Sequence, residues 1–214
     1  MSWNTFSKET KRQAEAFNKI GKKYETVFGQ NQNQIAAIEW LINQLPQQAH
    51  VLDVGCGTGE PTARLITEAG HQVLGIDASP KMLDIAVEQA PLANFELMDM
   101  ADLNLPGQQF DAITAFFSLL MLPKETIAKV LRKLVSVLKP QGYFVLAMVE
   151  GDLDYVEIPF IESNISVSAY FEDELTRLLG EANLTVLQVK RADFSASAEA
   201  PPESQLFYYC HLNP

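Results

Sequence analysis

The most informative part of this chain is VLDVGCGTG, at residues 51–59. It begins as an apolar strand that carries one acid, Asp53. Three glycines at alternate positions then follow: Gly55, Gly57 and Gly59. Glycine has no Cβ atom, so it adopts unusual backbone angles and lets a ligand lie against bare backbone. Thr58 can cap the next helix, whose free N–H groups attract an anion. The stretch predicts a ligand-binding turn at the carboxyl end of a buried strand.

Strands and helices alternate on both sides of this turn. The predicted strands are short apolar runs at residues 50–54, 72–76, 94–97, 110–116 and 143–149. Helices are predicted between them, and this alternation indicates an α/β protein whose parallel sheet is covered on both faces. The last two predicted strands, 185–189 and 205–211, are joined by a loop alone, so one of them must run antiparallel.

Two segments flank the regular part of the chain. Residues 5–44 show helical spacing and predict two helices separated by Gly29. Residues 152–171 predict either a short strand pair or an irregular cap over the sheet. The length of 214 residues suits a single domain, 1–214, with 152–171 as an insertion after the fifth strand.

Composition excludes several classes of function. The chain is 47% hydrophobic with a net charge of −11, which argues against a nucleic-acid partner. The longest apolar run, Ile113 to Leu122, is too short to cross a bilayer. The first residues lack the apolar stretch of a secretory signal, so we expect no membrane partner and a cytoplasmic protein. The two cysteines show no metal-ligand spacing, and no metal is predicted.

Two further acids follow predicted strands. Asp77 ends the second strand, where a carboxylate can accept hydrogen bonds from both hydroxyls of a ribose. Asp99 follows the third strand and can accept from an adenine amine, with Met98 and Met100 against the flat ring. A dinucleotide site is the rival interpretation of the glycines, but its third glycine would fall on Glu60.

These segments resemble those of class I S-adenosylmethionine-dependent methyltransferases, especially the compact small-molecule type, over roughly residues 20–214. The motifs that carry the resemblance are VLDVGCGTG (51–59), GIDASPKM (75–82), FELMDM (95–100), FDAITA (110–115), LKPQGYF (138–144) and YFEDELTRLL (170–179). The resemblance implies a Rossmann-like sheet of seven strands in the order 3-2-1-4-5-7-6. Strand 7 is then antiparallel, helices lie on both faces, and S-adenosylmethionine is the cofactor.

The resemblance also implies roles for particular residues. Gly55, Gly57 and Gly59 approach the methionine part of the cofactor, and Asp53 supports it. Asp77 holds the ribose, Ala78 and Met82 line the adenine pocket, and Asp99 and Met100 read the adenine edge. Phe116 borders the methyl group. Tyr24, in a helical lid region at residues 1–45, resembles a lid tyrosine of the family and is a candidate catalytic residue.

The acceptor side is less defined. Related chains often place a histidine in the segment after the fourth strand, where this chain has Met121 in SLLMLP (118–123). Glu150 is the candidate base, because it ends the fifth strand on the cofactor side. The predicted acceptor pocket contains Ser118, Met121, Tyr155, Phe160 and Tyr170. The acids that follow Glu150 predict a pocket for a cationic or amine acceptor, or alternatively a solvated face.

The sequence therefore predicts methyl transfer to a small molecule through an oxygen, nitrogen, sulfur or carbon nucleophile. Two alternatives stay open. One is a cofactor-binding domain without catalysis that acts as a partner subunit or sensor, and the other is an NAD-dependent dehydrogenase. Both a monomer and a homodimer are compatible with the sequence.

Overall fold

Apolar strands and amphipathic helices form a sheet with helices on both faces, in a computed structural model that describes residues 3–29, 31–195 and 202–213. The strands are β1 (His50–Val54), β2 (Gln72–Asp77), β3 (Asn94–Leu97), β4 (Phe110–Phe116), β5 (Leu138–Val149), β6 (Leu153–Phe160), β7 (Ser163–Ala169), β8 (Leu184–Phe194) and β9 (Glu203–Leu212). The helices are α1 (Lys8–Ile20), α2 (Lys23–Phe28), α3 (Gln32–Gln44), α4 (Thr62–Glu68), α5 (Pro80–Gln89), α6 (Lys124–Ser136) and α7 (Glu172–Glu181).

Seven strands form the main sheet in the order β3-β2-β1-β4-β5-β9-β8. The first five of these run parallel, while β9 pairs antiparallel with both β5 and β8. Since β8 and β9 are the sixth and seventh strands of this sheet, the predicted order and the antiparallel last strand are confirmed.

The core lies on both faces of the sheet. Neighbouring residues of β1 point to opposite faces, so Leu52 packs with α6 and α7 while Val51 packs with α3 and α4. Both side chains are fully buried. Because helices cover both faces, the strands carry nearly continuous apolar runs, and the ends of the strands are left for polar groups.

The amino-terminal region contains three helices where the sequence predicts two. Gly21 adopts a positive φ of 51° and ends α1, and a second break at Gly29 separates α2 from α3. Asn31 then caps α3 by accepting from the N–H groups of Asn33 and Gln34. The apolar spacing across residues 17–27 continues through Gly21 and conceals this first break.

A separate two-stranded sheet of β6 and β7 stands after β5, so residues 152–171 contain a strand pair. We call this pair the hairpin. Gln13 of α1 fixes it, because its amide accepts from the backbone N–H of Ser166 at 3.0 Å and donates to the backbone oxygen of Ser166 at 2.5 Å. The hairpin and α1 are therefore joined by backbone-directed hydrogen bonds at a buried side chain.

β5 begins at Leu138, five residues earlier than predicted. Leu138 pairs with Phe110 before the register shifts, and Tyr143 then pairs with Ala112. In the described part of the chain, no helix combines the length and the apolar character that crossing a membrane requires.

Candidate functional site

A cavity of about 620 Å³ lies at the carboxyl ends of β1, β2 and β4, beneath α1, α2 and the hairpin. This volume is within the range of about 300–1,000 Å³ that is typical of small-molecule sites. Ligands of open α/β sheets bind at this edge. Most of the exposed lining is apolar, so the few polar groups that reach the cavity identify the chemistry.

The glycine turn leaves backbone open to the cavity. Gly57 has a φ of 54°, and a Cβ atom added there would meet no other atom within 4 Å. Gly55 is different, because its added Cβ would lie 2.3 Å from the Cβ atom of Ser118. Gly59 packs against α5 and does not line the cavity. The turn therefore presents bare backbone mainly at Gly55 and Gly57.

Thr58 does not cap the following helix, contrary to the prediction. α4 begins only at Thr62, and the N-cap position is Pro61, which has no side-chain hydrogen bond. The Thr58 hydroxyl instead lies at the cavity. The reason is the turn between Gly59 and Pro61, which delays the first helical residue beyond the reach of that hydroxyl.

Asp77 lies at the end of β2 and holds the glycine turn. Its Oδ2 accepts from the N–H of Gly57 at 2.9 Å, and its Oδ1 accepts from the N–H of Ser79 at 2.8 Å. Burial raises the pKa of Asp77, while these backbone bonds oppose the rise. A carboxylate that is fixed in this way keeps further lone pairs for a ligand in the cavity.

Asp53 is a second buried acid in the cavity wall. Its Oδ1 accepts from the Thr114 hydroxyl at 2.7 Å. Burial raises the pKa of Asp53 to about 7; the hydrogen bond from Thr114 opposes this rise, and the charge of Asp77 adds to it. Asp53 can therefore change its charge near neutral pH.

Three buried oxygens in this wall have no hydrogen-bond partner within the described chain: Asp53 Oδ2, Thr58 Oγ1 and Ser118 Oγ. All three residues line the cavity. An unsatisfied buried polar atom costs about 1–3 kcal/mol, so a cluster of three indicates a site that a polar ligand completes.

Asp99 lies beside a short 3-10 turn that follows β3. Its Oδ2 accepts from the Thr10 hydroxyl at 2.6 Å, and its Oδ1 accepts from the N–H of Ala101 at 2.9 Å. Met100 lines the cavity, whereas Met98 is buried in the core away from it. Only one of the two methionines that flank Asp99 can therefore contact a ligand ring.

The structure brings most of the predicted residues to this one cavity. The predicted residues that line it are Tyr24, Asp53, Gly55, Gly57, Thr58, Asp77, Ala78, Met82, Asp99, Met100, Phe116, Ser118, Met121, Tyr155 and Phe160. Gly59, Glu150 and Tyr170 do not line it.

Glu150 is engaged elsewhere. Its carboxylate accepts from Arg191 at 2.7 Å and from the Ser204 hydroxyl at 3.1 Å, and neither partner lines the cavity. Tyr170 is also directed away from the cavity, because its hydroxyl donates to the backbone oxygen of Lys124 and its ring lies 4.5 Å from the Lys124 amine. Neither residue is therefore placed to contact a ligand.

The wall of the cavity divides into two regions. We call the first, around Asp53, Gly55, Gly57 and Asp77, the glycine half. The second is the hairpin half, and its members share apolar side chains that enter from the hairpin, from α1 and α2 and from the segment after β4: Phe17, Phe28, Phe117, Met121, Leu153, Ile158, Phe160, Ile165 and Val167.

An aromatic cluster covers the hairpin half. Phe28 of α2 stacks on Phe160 of β6 and on Phe194 of β8, with ring centroids 5.5 Å apart in each pair. Tyr24 packs on Phe28 at 5.0 Å. Burial and the charges of Asp77 and Glu203 raise the pKa of Tyr24 to about 12.

Sequence reasoning missed a polar group at the border of this cluster. Glu203 lines the cavity and pairs in the sheet with Phe194. Its carboxylate accepts from the Gln205 amide at 2.7 Å, and the Gln205 oxygen accepts from Asn31 at 2.8 Å. The one available signal was a pair of polar residues opening an apolar strand, and that pattern is common at strand ends.

Comparison with known proteins places this geometry in a family. A model described as a methyltransferase domain matches residues 51–142. The chain is 31% identical over 151 residues to methyltransferase GfsG of Streptomyces halstedii, covering 65% of this chain and 54% of the relative. It is 33% identical over 156 residues to the O-methyltransferase cnsE of Penicillium expansum, covering 67% and 54%. The chain thus spans about half the length of these curated relatives.

Solved structures show the same fold. Magnesium protoporphyrin IX methyltransferase from Synechocystis, with bound SAH (S-adenosylhomocysteine), superposes with a TM-score of 0.74 at 18% identity, covering 96% of this chain and 100% of that one. The sheet order and the glycine turn define an α/β methyltransferase domain. Residues 51–142 thus form a methyltransferase domain, and the relatives and the shared fold support the class I S-adenosylmethionine-dependent methyltransferase family.

No group of three or more acids, histidines or cysteines suited to a metal ion occurs within residues 3–29, 31–195 and 202–213.

Proposed function

We propose that this protein transfers the methyl group of S-adenosylmethionine to a small-molecule acceptor in the cavity. The observation that carries the proposal is the cluster of unpartnered buried oxygens on Asp53, Thr58 and Ser118 beside the open backbone of Gly57. A ligand with several polar groups and a close fit to backbone would complete that wall.

The residues of the glycine half suit this cofactor. Asp77 would accept from the ribose hydroxyls, since its two backbone hydrogen bonds hold both oxygens in place. Asp99 and Met100 would contact the adenine, although both oxygens of Asp99 already accept one hydrogen bond each. Met82 is buried in the wall of the cavity and would pack on the other side of the ring.

The chain has to align the acceptor and exclude water. When bound, S-adenosylmethionine supplies an electrophilic methyl group on a sulfonium, so no further activation of the donor is needed. Phe116 and Phe117, at the end of β4, would hold the acceptor in line. The hairpin and α1 close the cavity from above through Gln13, which also donates to the backbone oxygen of Met121 at 3.2 Å.

An acceptor that loses a proton on methylation needs a base. Glu203 is the better placed candidate, because it lines the cavity next to the aromatic cluster and the Gln205 amide orients it. Glu150 is not a candidate base, since its carboxylate lies outside the cavity and accepts hydrogen bonds from Arg191 and Ser204.

The first test is calorimetric titration of the purified chain with S-adenosylhomocysteine. Gly57→Ala and Gly70→Ala form a matched pair, because both glycines have positive φ and neither added Cβ meets an atom within 4 Å. Only Gly57 lines the cavity, while Gly70 is exposed at the end of α4. We expect Gly57→Ala to abolish measurable binding and Gly70→Ala to bind as the wild type does.

The second test measures transfer of a labelled methyl group to phenol, amine, thiol and carboxylate acceptors. Binding without transfer to any of these classes would support a cofactor-binding domain without catalysis. No heat with S-adenosylhomocysteine, together with binding of NAD, would contradict the proposal.

A further inference from the structure

We propose that the acceptor is an uncharged and mainly apolar compound with a ring system, held by the hairpin half of the cavity. This inference rests on the proposed methyl transfer, and it identifies the class of molecule that receives the methyl group. It also differs from the cationic or amine acceptor that the acids after Glu150 suggested.

Those acids face away from the cavity. Asp152 pairs with the Lys124 amine at 2.9 Å, and its side chain is 73% exposed. Glu157 pairs with Arg12 at 3.2 Å and is 53% exposed. Asp154 is also exposed and accepts from the backbone N–H of Lys124. Each of these charges is therefore used on the outer surface, where it cannot attract a cationic acceptor.

The inner face of the same strands is apolar. The cavity is lined by Leu153 of β6, before a register shift, and by Ile158 and Phe160 after it. Ile165 and Val167 of the paired strand β7 also line it. Because successive side chains of a strand point to opposite faces, the acids lie on the outer face and the apolar residues on the face toward the cavity. Ser168 adds no free polar group, because its hydroxyl donates to the Leu122 oxygen and accepts from the N–H of Tyr155.

The hairpin half of the cavity suits neither kind of ionised acceptor. No lysine, arginine or histidine occurs among the described residues that line it, so an anionic acceptor would lose its hydration without gaining a cation. A cationic acceptor would have to approach the positively charged sulfonium of the donor through an apolar wall. Glu203 remains as one carboxylate beside the rings, which suits a neutral hydroxyl that loses a proton.

The shape of the hairpin half favours rings. Phe28 and Phe160 stack with an interplanar angle of 13°, and Phe17 tilts against Phe160 at 6.2 Å. Flat aromatic walls bind planar ligands through stacking and edge contacts.

The test uses three probes that share one ring system: 2-naphthol, which is uncharged, 2-naphthylmethylamine, which is cationic at neutral pH, and 2-naphthoate, which is anionic. Binding of each to the full chain is measured by fluorescence, with and without S-adenosylhomocysteine. We expect 2-naphthol to bind at least about tenfold more tightly than either charged probe. Equal or tighter binding of the amine or the carboxylate would overturn the proposal.

A pair of variants locates the binding surface. Ile158 lines the cavity, whereas Val156 of the same strand does not line it and is 43% exposed. We expect Ile158→Thr to weaken 2-naphthol binding about tenfold and Val156→Thr to change it less than twofold. Equal losses in the two variants would contradict binding of 2-naphthol against the lining of the cavity.

The same titrations separate this inference from the proposed function. If the wild-type protein does not bind S-adenosylhomocysteine, the methyl-transfer proposal is refuted. The three probes would still show whether the cavity prefers an uncharged ligand. Normal S-adenosylhomocysteine binding with preferred binding of the amine would refute only the acceptor class.

Discussion

The glycine half and the hairpin half of the cavity present opposite surfaces to a ligand. The glycine half offers buried acids, unpartnered oxygens and open backbone. It comes from β1, β2 and the turns that follow them, with Ser118 after β4 beside them. The hairpin half offers aromatic and aliphatic side chains from segments that are far apart in the chain. One half therefore suits a polar molecule of fixed structure, and the other suits an apolar molecule of matching shape.

The largest effect is expected in the glycine half, at Asp77. Asp77→Asn removes the negative charge that accepts two hydrogen bonds from the ribose hydroxyls. Each of these bonds is worth about 2 kcal/mol, so S-adenosylhomocysteine should bind about 1,000-fold more weakly. Calorimetry measures this loss. Asp84→Asn, on the exposed face of α5, serves as the control and should bind normally. An affinity for Asp77→Asn within threefold of the wild type would contradict the ribose assignment.

The second largest effect is expected at Glu203, with Glu150 as its matched control. Glu203→Gln should slow methyl transfer about 100-fold at neutral pH without changing S-adenosylhomocysteine binding, because a base contributes about that factor. Glu150→Gln should stay within twofold, since Glu150 is outside the cavity.

A pH profile distinguishes a proton acceptor from a structural residue at position 203. The defect of Glu203→Gln should shrink as the pH rises and the acceptor loses its proton unaided. A defect of the same size at every pH would instead indicate that Glu203 only shapes the cavity.

The third effect is on stability in the glycine half. Because the folded state raises the pKa of Asp53 to about 7, from 3.8, the folded protein holds a proton that the unfolded chain releases. The contribution of Asp53 to the free energy of unfolding therefore falls as the pH rises from about 4 to about 7. Above about pH 7 this contribution no longer changes.

Asp53→Asn stays neutral and keeps an oxygen for the Thr114 hydroxyl. The variant should therefore gain stability over the wild type as the pH rises across that window, by up to about 1.4 kcal/mol for each pH unit. Urea denaturation at pH 4, 6 and 8 measures the difference. A difference that does not change with pH would show that Asp53 is ionised throughout.

The smallest effect is expected where α1 fixes the hairpin. Gln13→Ala removes the two bonds to the Ser166 backbone, so the hairpin half should lose its fixed shape. Binding of 2-naphthol should weaken about tenfold, by the loss of two hydrogen bonds of modest strength, while S-adenosylhomocysteine binding stays the same. Glu15→Ala, on the exposed side of α1, is the control. An equal loss for both ligands would show that the two halves are not independent.

The glycine half was predictable because its chemistry is local. Gly55, Gly57 and Asp77 follow their strands directly, and parallel strands bring their carboxyl ends together. Thr58 was the exception: a capping role needs a helix start at the right distance, and the turn before Pro61 moved that start.

The hairpin half was not predictable to the same degree. Glu150 directly follows β5 at the correct edge of the sheet, yet its carboxylate binds Arg191, a residue 41 positions away, and does not face the cavity. Glu203 carried no local pattern that separated it from any polar residue at a strand end. The break at Gly21 was hidden because apolar spacing continued across it.

Hydrophobic periodicity and glycine geometry act over a few residues, so local patterns were enough to predict the order of the elements, the α/β class and the ligand-binding turn. Which acids face the cavity and which face solvent is set by the three-dimensional packing. That choice depends on how α1, the hairpin and β9 pack together, and such packing joins residues more than a hundred positions apart, as Gln13 and Ser166 are.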